Sequence, residues 1–394
     1  VHLLEENLGD IVEFWERRTA WKRWGVVSLL APMLLLGGCS HFHHHDGPSK
    51  YVYVTAKTAT LRDRVAAVSN RTGTVTNGEK LTVLERTRRF VKVKTPEGAV
   101  GWIEEKLTAD QALADQFDVL KEQHAKEPVV AQGAARDDVY MHIAPGRETD
   151  HFFRLSEGDS MNLLQRASVA KPVTPGMATE VKPDAAAGPL PPAMEDWWLV
   201  RDAKGNTGWV YSRMIDVSVP DALARYAEGQ RIVGAYVLTK ADDPDSGMVN
   251  NGNPVTQIPE YVTMLSPYQA GLPYDFDQVR VFTWNVKKHR YETAFREHNI
   301  EGYLPVKISQ SKDPYGKSAL AGMDLPTFRY RVLAADSAPA VPDPKTGVVT
   351  PQKTIEKTYR LEETTVHRVL QPGVPAPEEA HPVAEVKKDK KKKR

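Results

Sequence analysis

Apolar and polar residues alternate with a period of two along most of the chain between residues 51 and 370. Successive side chains of an extended strand take opposite faces, so this pattern predicts half-buried strands. In residues 51–107 it recurs in Tyr51-Val52-Tyr53-Val54, Thr58-Ala59-Thr60-Leu61-Arg62, Leu81-Thr82-Val83-Leu84, Phe90-Val91-Lys92-Val93-Lys94 and Gly98-Ala99-Val100-Gly101-Trp102-Ile103. Turns are expected at Asn77-Gly78-Glu79-Lys80 and Thr95-Pro96-Glu97. Five short strands packed so closely in sequence predict a small barrel. The period changes once. Leu113, Phe117 and Leu120 recur at helical spacing behind Thr108-x-x-Gln111, and Pro128 follows. That predicts one amphipathic linker helix over 108–127, capped at Thr108 and packed by its apolar stripe on the first barrel.

Residues 137–217 repeat the first pattern with an interruption. Val139-Tyr140-Met141, Met161-Asn162-Leu163-Leu164, Trp197-Trp198-Leu199-Val200 and Gly208-Trp209-Val210-Tyr211 read as strands of a second barrel. A Pro- and Ala-rich insertion, set at 167–195, breaks it, because prolines can neither pair in a sheet interior nor bury much apolar area. Residues 225–370 predict a larger β-rich domain. Its strands fall at 232–238, 261–265, 279–284, 290–296 and 302–306, with late strands at 328–333 and 358–369. Gly302-Tyr303-Leu304 echoes Gly101-Trp102-Ile103 and Gly208-Trp209-Val210, which leaves a third, larger barrel of the same kind open. The expected fold class is mainly β: two small barrels, then the larger β-rich domain, with the linker helix and an N-terminal signal helix.

The lone cysteine of the 394-residue chain changes the picture. Gly25 to Gly38 carry no charge, Arg17, Arg18, Lys22 and Arg23 precede them, and Cys39 ends the run. The run is short for a bilayer span, which takes about 20 residues, and suits a cleaved export segment over residues 1–38. A buried apolar helix and an uncleaved anchor are the competing readings, and length and flanks disfavour both. Leu36-Gly37-Gly38-Cys39 resembles the lipobox of bacterial lipoproteins. That resemblance implies lipidation of Cys39 and anchoring at the cell envelope. Ser40 is similar to the residue after the cysteine in lipoproteins sorted to the outer membrane, where the chain would face the periplasm. Residues 39–50, with four histidines, read as a solvated tether and not a metal site.

The order of elements in 51–107 resembles the bacterial SH3-like (SH3b) family. The shared elements are a Leu-Arg pair (Leu61-Arg62), a glycine turn (Gly78) before an L-x-V-L strand, a V-x-V strand (Val91 to Val93) and a closing Gly-Trp-Ile (101–103). Residues 137–217 resemble it again. The family's aromatic before the V-x-V strand is Phe90 in the first unit and tryptophan in the second. The resemblance implies SH3-like barrels with a shallow aromatic groove for cell-wall glycan or peptide, or for a periplasmic protein. The aromatic candidates for such a groove are Tyr53, Trp102, Tyr140, Trp197, Trp198, Trp209 and Tyr211, whose flat faces suit sugar rings or peptide backbone. Alternation sends one of Trp197 and Trp198 inward and the other outward.

Charge adds less. Without residues 1–38 the chain has Lys+Arg 48 against Asp+Glu 46, which argues neither for nor against nucleic acid. The tail over 371–394 ends in Lys387, Lys388, Lys390, Lys391, Lys392, Lys393 and Arg394, whose mutual repulsion predicts an extended, disordered segment suited to polyanion contact. A lipid anchor makes membrane or wall the polyanion at hand and excludes nucleic acid as a partner. No serine nucleophile elbow, phosphate loop or dinucleotide glycine motif is present, and with Cys39 lipidated no thiol is left for catalysis. His289, Glu292, Glu297 and His298 are the densest acid and imidazole cluster, yet alternation separates Glu292 from Glu297, so no metal site and no cofactor are expected. The expectation is a non-catalytic envelope lipoprotein, membrane-anchored, binding peptidoglycan or periplasmic proteins. A cell-wall hydrolase with chemistry in 225–370, or a targeting subunit of one, is the alternative. A structural component of an envelope complex is another.

Overall fold

The computed structural model describes residues 50–172, 192–250 and 252–381. The signal segment, Cys39, nearly all of the tether, the middle of the Pro/Ala-rich stretch and the cationic residues from Lys387 to Arg394 lie outside the described residues. Strand makes up 52% of the structure and helix 8%, so the mainly β class holds.

The first sheet contains β1 (Tyr51–Val54), β2 (Thr58–Arg62), β3 (Arg71–Thr76), β4 (Lys80–Arg86), β5 (Phe90–Lys94), β6 (Val100–Glu104) and β7 (Thr108–Asp110), in the order β3-β2-β6-β5-β4-β1-β7. Alternation drives it. Val52, Val54, Ala59, Leu61, Leu81, Val91, Val93 and Ile103 point inward and are buried. Where β6 crosses β2, a Cβ on Gly101 would lie 2.7 Å from the Leu61 Cβ, so only glycine allows the approach that closes the barrel. Strand β3 was not expected from sequence, because only Val75 in it is buried.

The second sheet contains β8 (Ala131–Ala135), β9 (Val139–His142), β10 (His151–Leu155), β11 (Ser160–Ala170), β12 (Met194–Asp202), β13 (Thr207–Tyr211) and β14 (Ile215–Val217). Its order, β10-β9-β13-β12-β11-β8-β14, repeats the first strand for strand. Register repeats too: Arg62 pairs with Trp102 where His142 pairs with Trp209. A Cβ on Gly208 would come 2.6 Å from the Met141 Cβ, the same crossing as at Gly101. Strand β11 runs to Ala170 and β12 begins at Met194, with Ala167 opposite Trp197 and Val169 opposite Glu195. The ladder thus continues into the stretch set aside as insertion, up to the prolines that stop it.

Between the sheets, α1 (Gln111–Gln123) is shorter than expected and starts later. Thr108 to Asp110 pair with β1 instead, and the cap is Asp110, whose carboxylate accepts from the Leu113 N–H at 2.8 Å. The helix packs on both barrels, against β1 and β7 of the first as expected and against β13 of the second as well. Phe117 meets Phe152 and Phe153 edge-on, with ring centres 5.7 and 5.5 Å apart. The first barrel reaches that seam through Asn77, which donates to the Phe152 carbonyl at 3.0 Å and accepts from the Arg154 N–H at 2.9 Å.

The outer face of the second barrel is covered. Trp197, Leu199 and Trp209 are buried under Leu120 of α1 and Val348, and Ser168 N–H donates to the Gly347 carbonyl at 2.7 Å. His142 sits edge-on to Trp197, centres 5.1 Å apart. Burial, then the neighbouring His151 charge, push the His142 imidazole below its ordinary pKa, against the Thr149 carbonyl that would raise it.

The third sheet follows a four-residue helix, α2 (Asp221–Ala224). It contains β15 (Arg231–Asp242), β18 (Gln257–Ser266), β19 (Phe276–Asn285), β20 (Arg290–Ser311), β21 (Leu325–Leu333), β22 (Thr354–Glu362) and β23 (Thr365–Arg368), while β16 (Val249–Asn250) and β17 (Asn253–Pro254) form a separate hairpin. All seven pair in chain order as an antiparallel meander that curls into a half-barrel. A third SH3-like barrel is therefore not formed. Gly302 has a different task from Gly101: it lies beneath the Phe276 ring, which a side chain there would strike. Within this sheet Glu297 accepts from the Lys357 ammonium and from the Tyr330 and Tyr359 hydroxyls. Burial alone would raise its carboxyl pKa, and these donors hold it below the usual value instead.

A buried ion network joins the second barrel to the half-barrel. Arg166 Nε donates to Asp275 Oδ1 at 2.8 Å, and its Nη2 donates to the Leu272 and Tyr274 carbonyls at 2.9 and 3.0 Å. Replacing Arg166 with methionine keeps the bulk but leaves Asp275 and Asp196 without their buried partner. The expected loss in urea unfolding is about 3–5 kcal/mol. A second expectation concerns pH. Because His142 is held neutral, its contribution to stability is present above the unfolded imidazole value of about 6.5 and is lost as pH falls through it toward the lower folded value. The wild type should lose more of its urea midpoint between pH 7.5 and pH 5.5 than His142→Gln, with those two pH values chosen to bracket about 6.5.

Candidate functional site

Period-two alternation that buries one face of the first barrel turns a complementary set of residues outward. Across four neighbouring strand pairs these form one continuous row. Arg71 of β3 faces Arg62 of β2, Arg62 faces Trp102 of β6, Trp102 faces Lys92 of β5, and Lys92 faces Glu85 of β4. Trp102 and Lys92 are half-buried, and Arg62, Arg71 and Glu85 are exposed. The Lys92 ammonium lies 5.8 Å from the Trp102 ring centre, within cation–π range.

Arg62 donates to the Ser69 hydroxyl at 2.9 Å, which fixes one cation at the foot of the 63–70 loop. That loop is closed by Asp63, which accepts from the Asn70 N–H at 2.9 Å, and it carries Val65 and Val68, both exposed. The row therefore offers an indole with a cation on either side and an apolar loop at one end. None of Arg62, Arg71 and Lys92 is held in an ion pair among the described residues. Chemically this surface can stack a sugar or peptide plane and pair with carboxylates.

The other aromatic candidates are placed elsewhere. Tyr53 sits at the seam between the barrels, its hydroxyl donating to Gln111 Oε1 at 2.9 Å and its ring edge-on to Phe152. Trp198 is in the main core, and Trp197 and Trp209 lie under the cover of the second barrel's outer face. Trp197 and Trp198 do take opposite faces, but both are buried, at 2% and 7% exposure. Tyr140 and Tyr211 are half-buried beneath guanidinium groups, Arg154 at 5.2 Å and Arg147 at 4.8 Å from the ring centres. The seven aromatics thus do not converge, and Trp102 alone among the tryptophans candidates keeps an accessible face. The flanking Arg62, Arg71 and Lys92 were missed in the sequence, although alternation about Trp102 with the strand order would have placed them.

The acid and imidazole cluster of the half-barrel is also dispersed. Glu297 is taken by Lys357 and the two tyrosines, and Glu292 by Asn285 and Lys288 at 2.9 Å each. His289 bonds through Nδ1 to Asp243 at 2.8 Å, and Asp243 also accepts from the Trp284 indole at 2.7 Å. Among the described residues no three His, Cys, Asp or Glu side chains are grouped to hold a metal ion.

With this geometry in place, comparison with known proteins adds one firm point. Residues 58–109 match the family model of the bacterial SH3 domain. No curated protein matches the chain. Solved structures with detectable likeness include NlpC2 from Trichomonas vaginalis, at 8% identity over 46% of this chain and 54% of that one, with a TM-score of 0.15. An NlpC/P60 family protein from Bacillus cereus ATCC 10987 is 12% identical over 62% of this chain and 98% of that one, with a TM-score of 0.21. NlpC1 from Trichomonas vaginalis is 7% identical over 62% and 87%, with a TM-score of 0.15. The chain spans about half the length of the first of these. At such TM-scores the likeness carries no argument about fold or activity, whereas the match over 58–109 assigns the first barrel to bacterial SH3 domains.

Proposed function

We propose that this protein is a non-catalytic lipoprotein of a bacterial cell envelope, anchored through Cys39 at the outer membrane and facing the periplasm, and that its first barrel binds peptidoglycan. The observation that carries the reading is the coincidence of the bacterial SH3 match over 58–109 with the open Arg71-Arg62-Trp102-Lys92 row. Bacterial SH3 domains commonly bind peptidoglycan. Wall polymer offers what the row takes up, namely sugar planes for the indole and peptide carboxylates for the cations. The second barrel, which repeats the same strand order, is read as a second copy of the domain whose equivalent face is used inside the molecule. The cationic residues from Lys387 to Arg394 would add a contact to anionic headgroups or wall polymer.

The test uses the full chain extracted from membranes in detergent and mixed with purified sacculi. Wild type should sediment with the wall, and Trp102→Ala should weaken that binding by roughly tenfold, as loss of a central aromatic anchor does. Absence of binding by the wild type removes the wall reading, and a single stoichiometric protein crosslinked at the Trp102 face would replace it with a protein partner. Clearing of wall material in a zymogram would overturn the non-catalytic assignment. Intact mass reports the anchor directly: the protein should begin at Cys39 and carry acyl groups.

A further inference from the structure

We propose that the cleft between the second barrel and the half-barrel is a binding site for a carboxylate-ended ligand, a peptide C-terminus with a small apolar last residue. The cleft is a cavity of about 480 Å³, a size that takes small ligands. Its barrel wall includes Trp198, Tyr211 and Arg213, and its half-barrel wall includes Arg231 and Ile232. Arg166 and Asp196 also line it.

Two guanidinium groups here have donors left over. Arg166, whose side chain is only 5% exposed, spends Nε and Nη2 on Asp275 and two carbonyls, but its buried Nη1 has no hydrogen-bond acceptor. The nearest carboxylate oxygen, Asp196 Oδ1, is 3.5 Å away and is occupied by the Ser168 hydroxyl at 2.7 Å and the Gly271 N–H at 3.0 Å. Arg231 reaches the Gln269 carbonyl at 3.3 Å and Asp196 Oδ2 at 3.5 Å through Nη2, and its Nε is buried and unmatched. A buried donor without an acceptor is costly, and both side chains line the cleft, so a small shift of either guanidinium on ligand entry would bring an unmatched donor to a ligand oxygen.

Charge selects the class of ligand. Arg136, Arg166, Arg213 and Arg231 line the cleft against Asp196, Asp216 and Asp275. One positive charge is left, which balances a single carboxylate and not a doubly charged phosphate ester. A planar carboxylate also matches the guanidinium fork. Met194, Trp198 and Ile232 supply apolar wall for a small side chain behind that carboxylate. The site shares no residue with the Trp102 row, so it stands whether or not sacculi are bound.

The experiment is a calorimetric titration of the full chain with N-acetyl-dialanine, in L,L and D,D forms, and with the corresponding C-terminal amides and inorganic phosphate. At least one acid should bind saturably at one site, with its amide weaker by roughly tenfold, the loss of one charge-assisted hydrogen bond. Arg231→Gln should weaken the acid by a similar factor while the unfolding midpoint confirms an intact fold, and Arg213→Gln, a change at the rim, serves as the second variant with a smaller loss. Absence of saturable binding to roughly 10 mM, equal binding of acid and amide, an acid affinity unchanged in both variants, or phosphate binding as tightly as the acid would each overturn the proposal.

Discussion

The buried ion network around Arg166 is the constraint on which the rest of the architecture depends. Taking a guanidinium and two carboxylates out of water costs several kcal/mol per ion, and direct attraction offsets that only when the remaining donors and acceptors are also satisfied. Here backbone supplies most of them. The Leu272 and Tyr274 carbonyls receive Arg166, the Leu304 N–H reaches Asp275 Oδ2 at 3.0 Å, and the Gly271 N–H reaches Asp196. The network therefore fixes the path of the chain from residue 271 to 275, the approach to β19, and ties β20 to the same point. It ties β11 of the second barrel to the half-barrel, and buried apolar residues of both belong to a single core.

This division of labour explains why two barrels with the same strand order present opposite surfaces. At equivalent outward positions the first barrel has Arg62, Phe90 and Lys92, and the second has His142, Trp197 and Leu199. The second set can be covered because it carries little charge to desolvate. Val348, brought in by an isolated bridge to Ala167, supplies the cover. The first set could be buried only at the cost of stranded cations. The second barrel's outer face is thereby used inside the molecule, and the first barrel's is left open to solvent.

Much of the first barrel was legible in the sequence because local pattern determines it: alternation in β2, β5 and β6, the turn at Gly78, and the glycine before Trp102. What escaped was set by residues distant in sequence. Strand β3 has polar residues on both faces, so no period could reveal it. Thr108 looked like a helix cap, but β1 needed an edge partner and took Thr108 to Asp110 first. Trp197 and Trp198 alternate as expected, yet the cover on Trp197 comes from the 340s, which pattern alone does not bring near. The cleft was illegible for the same reason, since Arg166, Arg231 and Asp275 read as scattered charges until the sheets place them together. The cation row around Trp102 lay between these cases: each residue was visible, and only strand order made them neighbours.

The placement of those cations is itself an argument for use. Arg62 and Arg71 face each other across β2 and β3, and like charges directly opposite weaken a sheet by a fraction of a kcal/mol. Neither is held by an internal carboxylate among the described residues. Arg360, by contrast, is fully buried and its two terminal nitrogens donate to the Ala321 and Met323 carbonyls at 2.9 Å each. Local rules broken without internal compensation tend to coincide with functional positions. Cations that stand beside an open indole and are held by no internal carboxylate form a surface that would take up an external anion without breaking an existing ion pair.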